Sequence, residues 1–219
     1  MIAAAARDNW PAFSTPLEGC VPHLYCDSLG FVTVAIGALV DSPGAAAALT
    51  GWDDPGGVVA DWHRVKALYQ PPPARPLAFT HYAGGPQLSA EGIAAVTEQR
   101  LDQAGTALAA VFPSFADWPA PAQAAALSLA WACGAGWPRS WPHLTASCLA
   151  GDWLAAAGNC EIRWSDNPGV RPRDWAQRAL FLLAAGTPLD EALAGIPAGT
   201  SGDAARRALA AFPFAVVSG

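Results

Sequence analysis

The sequence predicts a mainly α chain of α+β class, with one small β-hairpin near the N-terminus. Two alternating stretches, at 23–26 and 31–36, flank the turn Asp27-Ser28-Leu29-Gly30, which is the pattern of a hairpin. Most of the remaining chain divides into helix-length segments bounded by proline and glycine. The hydrophobic content is 53% and only 14% of the residues are charged, which excludes intrinsic disorder because disorder requires low hydrophobicity and high charge.

Proline, glycine and serine positions set the expected helices. The first segment, about 2–18, is interrupted by Pro11 and Pro16, which a helix accepts only near its start. Ser89 is a candidate N-cap for a long helix, and Gly134 follows the end of another. The helical segments expected after the hairpin are 45–49, 58–68, 88–112, 121–133, 143–150, 152–158, 172–185 and 203–212, with a stiff connector at 71–76 and a loop at 80–86.

Length and charge limit the classes of function. A chain of 219 residues is one ordinary domain. Its net charge of −6 and pI of about 5.0 argue against a general nucleic-acid or anionic-membrane binder, which would be basic. No apolar stretch has the ~20 residues needed to cross a membrane, and the first ten residues lack the basic region of a Sec signal peptide.

The cysteines predict no metal site. Their number, five, is odd, and none stands in a CxxC pair, which argues against zinc; no metal and no cofactor are expected. Five cysteines are many for a cytosolic chain, and one or two disulfides would suit the periplasm. The pairs closest in sequence are Cys20 with Cys26 and Cys148 with Cys160, and the spacing leaves open whether either bond forms.

Glu18, Asp27 and Thr33 form the candidate catalytic group. Glu18 is expected at a helix end, Asp27 in the hairpin turn and Thr33 on the second hairpin strand. Two carboxyl groups on separate elements around a fold-back can face one groove, as glycoside hydrolysis requires, and a hydroxyl can hold the attacking water. Each residue also has an ordinary structural interpretation, since aspartate is common in turns.

The residues around this group resemble those of a known family. The stretch Leu17-Glu18-Gly19 to Ala35-Ile36-Gly37 is similar, without a gap, to the catalytic segment of phage-type lysozymes, the T-even-phage endolysin family. Residues 169–181 resemble the C-terminal helix pattern of that family, and 126–134 with 151–156 resemble its central buried helix and the following turn. The resemblance implies a single lysozyme-like domain, with a hairpin lobe carrying the catalytic cleft at about 18–70 and a helical lobe at about 77–219.

The resemblance also implies roles for individual residues. Glu18 becomes the general acid, Asp27 the carboxylate that activates water and Thr33 the hydroxyl that positions it, in an inverting reaction. Arg173 matches an arginine that lies near the catalytic glutamate in this family, where it would orient Glu18. The alternative for Arg173 is a surface arginine on a helix.

The sequence departs from the family pattern at several positions. Ala38 and Ala132 replace polar residues of the family, Ala35 replaces a glycine, and Asp174 and Gln177 replace an arginine and a glutamate. These changes leave the three catalytic groups in place but affect the expected affinity for substrate.

Four other residues are candidates for substrate binding or support. Phe31 is the aromatic residue of the first block, and His81 lies in the loop beside Gly84 and Gly85. Trp137 and Trp141 belong to a proline-rich turn and are candidate platforms for a sugar ring, whereas Trp131 and Trp153 lie among Ala and Leu and are expected in the core.

The expected function is that of a peptidoglycan hydrolase, a muramidase acting as an antibacterial effector or endolysin. An alternative is a non-catalytic lysozyme-like module that binds glycan or docks on a secretion or phage-tail component. An enzyme that cleaves chitin or chitosan is a further alternative, closely related to the muramidase. Without a Sec signal, the chain would pass from the cytoplasm to the periplasm through a secretion apparatus or a holin. The expected partners are peptidoglycan strands and, for an effector, a periplasmic immunity protein or a carrier.

Overall fold

The computed structural model describes residues 1–70, 77–162, 168–210 and 212. Within them the chain is a mainly helical α+β protein with a three-stranded antiparallel sheet near the N-terminus. The strands are β1 Val21–Cys26, β2 Val32–Ala35 and β3 Ala38–Leu39. The α-helices are α1 Ala4–Asp8, α2 Trp10–Glu18, α3 Pro43–Ala47, α4 Val58–Leu68, α5 Ala90–Val111, α6 Ala120–Cys133, α7 Trp137–Ser140, α8 Pro142–Ala150, α9 Trp153–Asn159, α10 Arg171–Ala184, α11 Leu189–Ala194 and α12 Thr200–Ala210. Short 3₁₀ helices lie at Phe79–Tyr82, Phe115–Asp117 and Pro168–Val170.

The predicted hairpin is confirmed, and a third strand extends it. Strand β1 pairs with β2 so that Tyr25 lies opposite Thr33, and β2 pairs in turn with the two-residue strand β3. Gly30 closes the turn with φ +82°, and a Cβ at this position would come within 2.6 Å of the Tyr69 ring. Strand β3 was not predicted because two residues are too few to show an alternating pattern.

Most of the predicted helices are confirmed. Helix α4 has the predicted bounds, and α3, α5, α6, α8, α9, α10 and α12 begin and end within a few residues of expectation. The Ser89 hydroxyl accepts the backbone N–H of Gly92 at 3.1 Å, as an N-cap does. Helices α7 and α11 were not predicted, and the connector expected at 71–76 lies outside the described residues.

The chain divides into two compact units. The sheet unit comprises Glu18–Arg100, and the helical unit comprises residues 1–17 together with those after 100. These bounds differ from the expected lobes at about 18–70 and 77–219. Helix α5 belongs to both units because the boundary between Arg100 and Leu101 falls inside it.

The core of the sheet unit joins the sheet to helix α4. Its buried residues include Leu24, Val34, Val58, Val65 and Leu88. Val58 and Val65 are both fully buried residues of α4, seven positions apart and therefore on one helix face. This packing fixes strands β1 and β2, and with them Asp27 in the intervening turn and Thr33 on β2.

The core of the helical unit surrounds α6. Every residue of α6 from Ala122 to Trp131 is buried, as expected for a helix that is apolar on all sides. Half of these residues are alanine, whose small side chain allows close packing of neighbouring helices. Trp131 lies in this core, as predicted, with its ring centroid 5.2 Å from that of Trp10.

All five cysteines are free, so neither disulfide considered from the sequence is present. Burial raises the pKa of both Cys148 and Cys160 to about 12, which keeps these two thiols protonated and unreactive near neutral pH. Among the helices of the described part of the chain, none has the length and apolar character needed to cross a membrane.

Candidate functional site

The three candidate catalytic residues lie in the sheet unit, at the positions predicted for them. Glu18 is the last residue of α2, Asp27 lies in the turn between β1 and β2, and Thr33 is on β2. Glu18 and Asp27 are partly exposed, whereas Thr33 is only 5% exposed.

The carboxyl group of Glu18 packs against the base of the hairpin at Gly37. A Cβ at residue 37 would come within 2.9 Å of Glu18 Oε2, and Gly37 has φ +64°. The Arg100 guanidinium donates a hydrogen bond to the Gly37 carbonyl, which ties this turn to α5. Glycine is therefore favoured at 37 by its backbone conformation, and a larger residue there would displace the carboxyl group of the glutamate.

Tyr25 links the two carboxyl groups electrostatically. Burial is the main factor that raises the pKa of its phenol, and the negative charges of Glu18 and Asp27 raise it further, against a smaller lowering by Arg100. Both carboxylates therefore act on one buried phenol on β1, and Thr33 stands opposite that residue on β2. Tyr25 is therefore the residue of β1 that pairs with Thr33 and whose pKa responds to both carboxyl groups.

The two carboxylate oxygens of Asp27 have different surroundings. Its Oδ1 accepts the backbone N–H groups of Leu29 at 2.9 Å and Phe31 at 2.8 Å, so this atom organises the hairpin turn. Among the described residues, none donates a hydrogen bond to Oδ2. One oxygen of Asp27 therefore holds the loop while the other can accept a proton from a water molecule.

The Thr33 hydroxyl is oriented by the backbone of the turn. Its Oγ1 donates to the Phe31 carbonyl at 3.1 Å, which uses its only proton. Thr33 can therefore hold a water molecule by accepting a hydrogen bond from it, but not by donating one.

Phe31 and His81, two of the candidate support residues, both reach the surface of the sheet unit. Phe31 directly follows the turn and is 49% exposed, so its ring is accessible close to Asp27. His81 is an exposed residue of the Phe79–Tyr82 3₁₀ helix.

The two candidate tryptophan platforms have different surroundings. Trp137 is 1% exposed, and its indole N–H donates to the Ala126 carbonyl at 3.2 Å. The interpretation of Trp137 as a sugar platform is therefore wrong, because its ring faces are covered by the core. Trp141 is partly exposed and lines a surface cavity of about 490 Å³ with His143 and Leu144, so its role stays a prediction.

Arg173 lies inside the helical unit and not on its surface. It is 3% exposed, and its Nη1 donates to the hydroxyl of Ser128 at 2.6 Å and to the carbonyl of the same residue at 3.2 Å. Gln177, one turn further along α10, donates to the same hydroxyl at 3.1 Å. The interpretation as a surface arginine is thus wrong, and its role toward Glu18 stays a prediction.

No functional role was predicted from the sequence for Phe79 or Arg100. Phe79 is 46% exposed, and its ring centroid lies 4.7 Å from that of Tyr25. It directly precedes the loop predicted at 80–86, but no local signal indicated a position beside β1. Arg100 had no local signal because its partner, Gly37, lies 63 residues away.

Among the described residues, no group of three or more His, Cys, Asp or Glu side chains is arranged to hold a metal ion. No known protein family matches the sequence, and no curated protein matches it significantly.

Proposed function

We propose that the protein is a peptidoglycan hydrolase, a muramidase that cleaves the β-1,4 bond between N-acetylmuramic acid and N-acetylglucosamine with inversion. The observation that carries this proposal is the placement of Glu18 and Asp27 on separate elements of the sheet unit, with Glu18 at the end of α2 against the base of the hairpin and Asp27 in its turn. Most glycosidases need two carboxyl groups, one to protonate the leaving oxygen and one to activate water or attack the sugar.

In the proposed reaction Glu18 protonates the glycosidic oxygen as the C–O bond breaks. Asp27 removes a proton from a water molecule, whose oxygen forms the new bond to the anomeric carbon from the opposite face of the ring. Thr33 holds that water by accepting one of its hydrogen bonds. The water supplies both the hydroxyl and, through Asp27, the proton that restores the catalyst, so atoms and charges balance.

The backbone of the hairpin supports the resemblance to phage-type lysozymes. Ala35 stands where the family pattern has glycine, and it has φ +57°, the only positive φ of a non-glycine residue in the described chain. L-residues other than glycine adopt this conformation at a cost. A positive φ at residue 35 is the conformation for which glycine is suited, and this supports the resemblance at the position where the family pattern has glycine.

A second candidate function is a non-catalytic module that binds glycan. Two observations favour it: Asp27 Oδ1 is engaged in the turn, and Ala38 and Ala132 stand where the family pattern has polar residues. Such a module would bind murein without cleaving it.

The setting of this activity is part of the proposal. The enzyme would act on the cell wall in the periplasm, after delivery by a secretion apparatus or release through a holin. A periplasmic immunity protein or a carrier is the proposed protein partner if delivery is by secretion.

The decisive experiment compares wild type with Glu18→Gln on purified murein. We expect wild type to generate new N-acetylmuramic acid reducing ends, initially in the α configuration that inversion produces. The variant should lose activity by about 10²- to 10⁴-fold, the usual contribution of a general acid or base. Muropeptide chromatography measures the products, and proton NMR their initial configuration.

Two further variants complete the test. Asp27→Asn keeps an Oδ1 acceptor for the turn while removing the base, so it should lose activity with little loss of stability. Glu191→Gln, at an exposed position of α11, is the matched control and should remain active. Equal hydrolysis by wild type and Glu18→Gln would contradict the proposal, and murein binding without new reducing ends would favour the binding module.

A further inference from the structure

Phe79 is an exposed aromatic residue close to Gly19, which directly follows the proposed general acid. It begins the 3₁₀ helix Phe79–Tyr82 in the sheet unit and is 46% exposed. The proposed hydrolysis assigns it no role. An aromatic ring with this exposure loses the free energy of burial that most phenylalanines gain in the core.

The ring of Phe79 is supported from the protein side by β1 and the end of α2. Its centroid is 4.7 Å from that of the buried Tyr25 ring, with the two planes tilted by 59°. A Cβ at Gly19, the residue that follows Glu18, would lie 3.9 Å from Phe79 Cε2. The exposed ring therefore adjoins the residue directly after the proposed acid and the phenol that both carboxylates affect.

The backbone that carries Phe79 is fixed at several points. The Phe79 carbonyl lies 3.0 Å from His23 Nε2. Three residues on, the Tyr82 carbonyl accepts a hydrogen bond from Arg64 Nη2 at 2.6 Å, and Arg64 Nε is paired with the buried Asp61 Oδ1 at 2.7 Å. A ring held in this way can bind a ligand without first being ordered, which lowers the entropic cost of binding.

We propose that Phe79 is a stacking platform for a pyranose ring of the β-1,4-linked N-acetylhexosamine strand, next to Glu18. One face of such a sugar ring presents axial C–H groups, which form an apolar surface that packs on an aromatic ring, while its equatorial hydroxyl and acetamido groups remain free for polar contacts. This inference rests on the proposed function, because it concerns the same substrate.

The test measures glycan binding without hydrolysis. In the Glu18→Gln background, Phe79→Ala is compared with its parent in calorimetric titration with tetra-N-acetylchitotetraose and with soluble, uncross-linked murein strands. We expect Kd to rise by about 3- to 10-fold, since aromatic stacking contributes about 0.5–1.5 kcal/mol. Phe79→Trp should retain the affinity of its parent, because tryptophan also provides an aromatic face. Retained affinity in this variant would show that the loss in Phe79→Ala comes from the missing ring and not from a disturbed fold. In the hydrolysing background Phe79→Ala should lower kcat/KM by a similar factor, mainly through KM.

Val59→Ala is the matched control, because Val59 is 43% exposed on α4 of the same unit and should leave Kd unchanged. Unchanged glycan binding by Phe79→Ala, or no binding by the Glu18→Gln parent at millimolar glycan, would overturn the inference. If Glu18→Gln abolishes hydrolysis while Phe79→Ala binds normally, only the platform is wrong. If wild type binds glycan through Phe79 but forms no reducing ends, only the hydrolytic function is wrong.

Discussion

At the scale of single residues, Asp174 is a buried carboxyl group with too few hydrogen bonds to replace the water that it loses on folding. It is 7% exposed, its Oδ1 accepts the backbone N–H of Ile162 at 3.0 Å, and its buried Oδ2 has no hydrogen-bond partner. Burial raises the pKa of Asp174 to about 6, Glu161 raises it further, and the hydrogen bond from Ile162 and the charge of Arg173 lower it. The charged form is therefore unfavourable in the folded protein.

This leads to a prediction about stability and pH. Because the pKa of Asp174 is about 6 when folded and 3.8 in its ordinary state, the folded protein binds the proton more tightly than the unfolded chain does. The resulting destabilisation is absent below pH 4, grows between pH 4 and 6 and is complete above pH 6. Asp174→Asn should thus raise the free energy of unfolding at pH 7 by at most about 3 kcal/mol, and by much less at pH 4.

Urea denaturation of wild type and Asp174→Asn at pH 4, 5, 6 and 7 checks this prediction. Asparagine keeps an acceptor for the Ile162 N–H, so the comparison isolates the charge. A difference between the two proteins that stays constant across these pH values would show that the charge of Asp174 is not its cause.

At the scale of elements, the end of β2 contains a strained residue. Ala35 is fully buried and has φ +57°, a conformation that costs an L-residue about 1–2 kcal/mol. The neighbouring strand β3 begins with Ala38, which is 4% exposed and has no positive φ. The two alanines lie in one sheet and differ mainly in backbone conformation.

Ala35→Gly should therefore change the stability by only about 0.5 kcal/mol or less in either direction, while Ala38→Gly should destabilise the protein. At residue 35 the relief of backbone strain, about 1–2 kcal/mol, offsets the loss of one buried methyl group, about 0.8 kcal/mol, together with the added chain entropy of glycine, about 0.5–1 kcal/mol. At residue 38 no strain is relieved, and the methyl loss and added chain entropy cost about 1–2 kcal/mol. Thermal denaturation gives both values. Destabilisation of equal size at both positions would contradict the argument.

At the scale of the whole molecule, the net charge of −6 affects the encounter with substrate. Murein is anionic, so a protein of the same sign is repelled over distances comparable to the Debye length, about 30 Å at 0.01 M salt and about 8 Å at 0.15 M. An enzyme delivered into the periplasm beside its substrate gains little from long-range attraction. The acidic surface would suit a basic inhibitor or carrier.

The proposed hydrolase should thus work faster on murein when salt is raised from 0.01 to 0.15 M, by a factor of a few, because salt screens the repulsion. The initial rate of reducing-end formation at several NaCl concentrations measures this effect. Uncharged chitooligosaccharide serves as the control substrate and should show almost no salt dependence. A steady fall of the murein rate with salt would mean that a local basic surface, and not the net charge, governs the encounter.

The sequence by itself determined the features that depend on local pattern. Period-two alternation and an Asp-Ser-Leu-Gly turn identified the hairpin, and a proline near its start with Gly134 after its end identified the helix at 121–133. The turn position of Asp27 and the strand position of Thr33 followed from the same local signals. The elements β3, α7 and α11 were not predicted because their few residues show no recognisable period.

Only the tertiary structure decided which side chains are buried and which distant residues meet. Trp137 and Trp141 belong to one proline-rich turn, yet Trp137 is covered by the core while Trp141 remains partly exposed. Phe79 adjoins Tyr25 although the two residues lie 54 positions apart in the chain. Such contacts arise when elements pack on one another. Sequence periodicity indicates which face of an element is buried, but it does not indicate which other element covers that face.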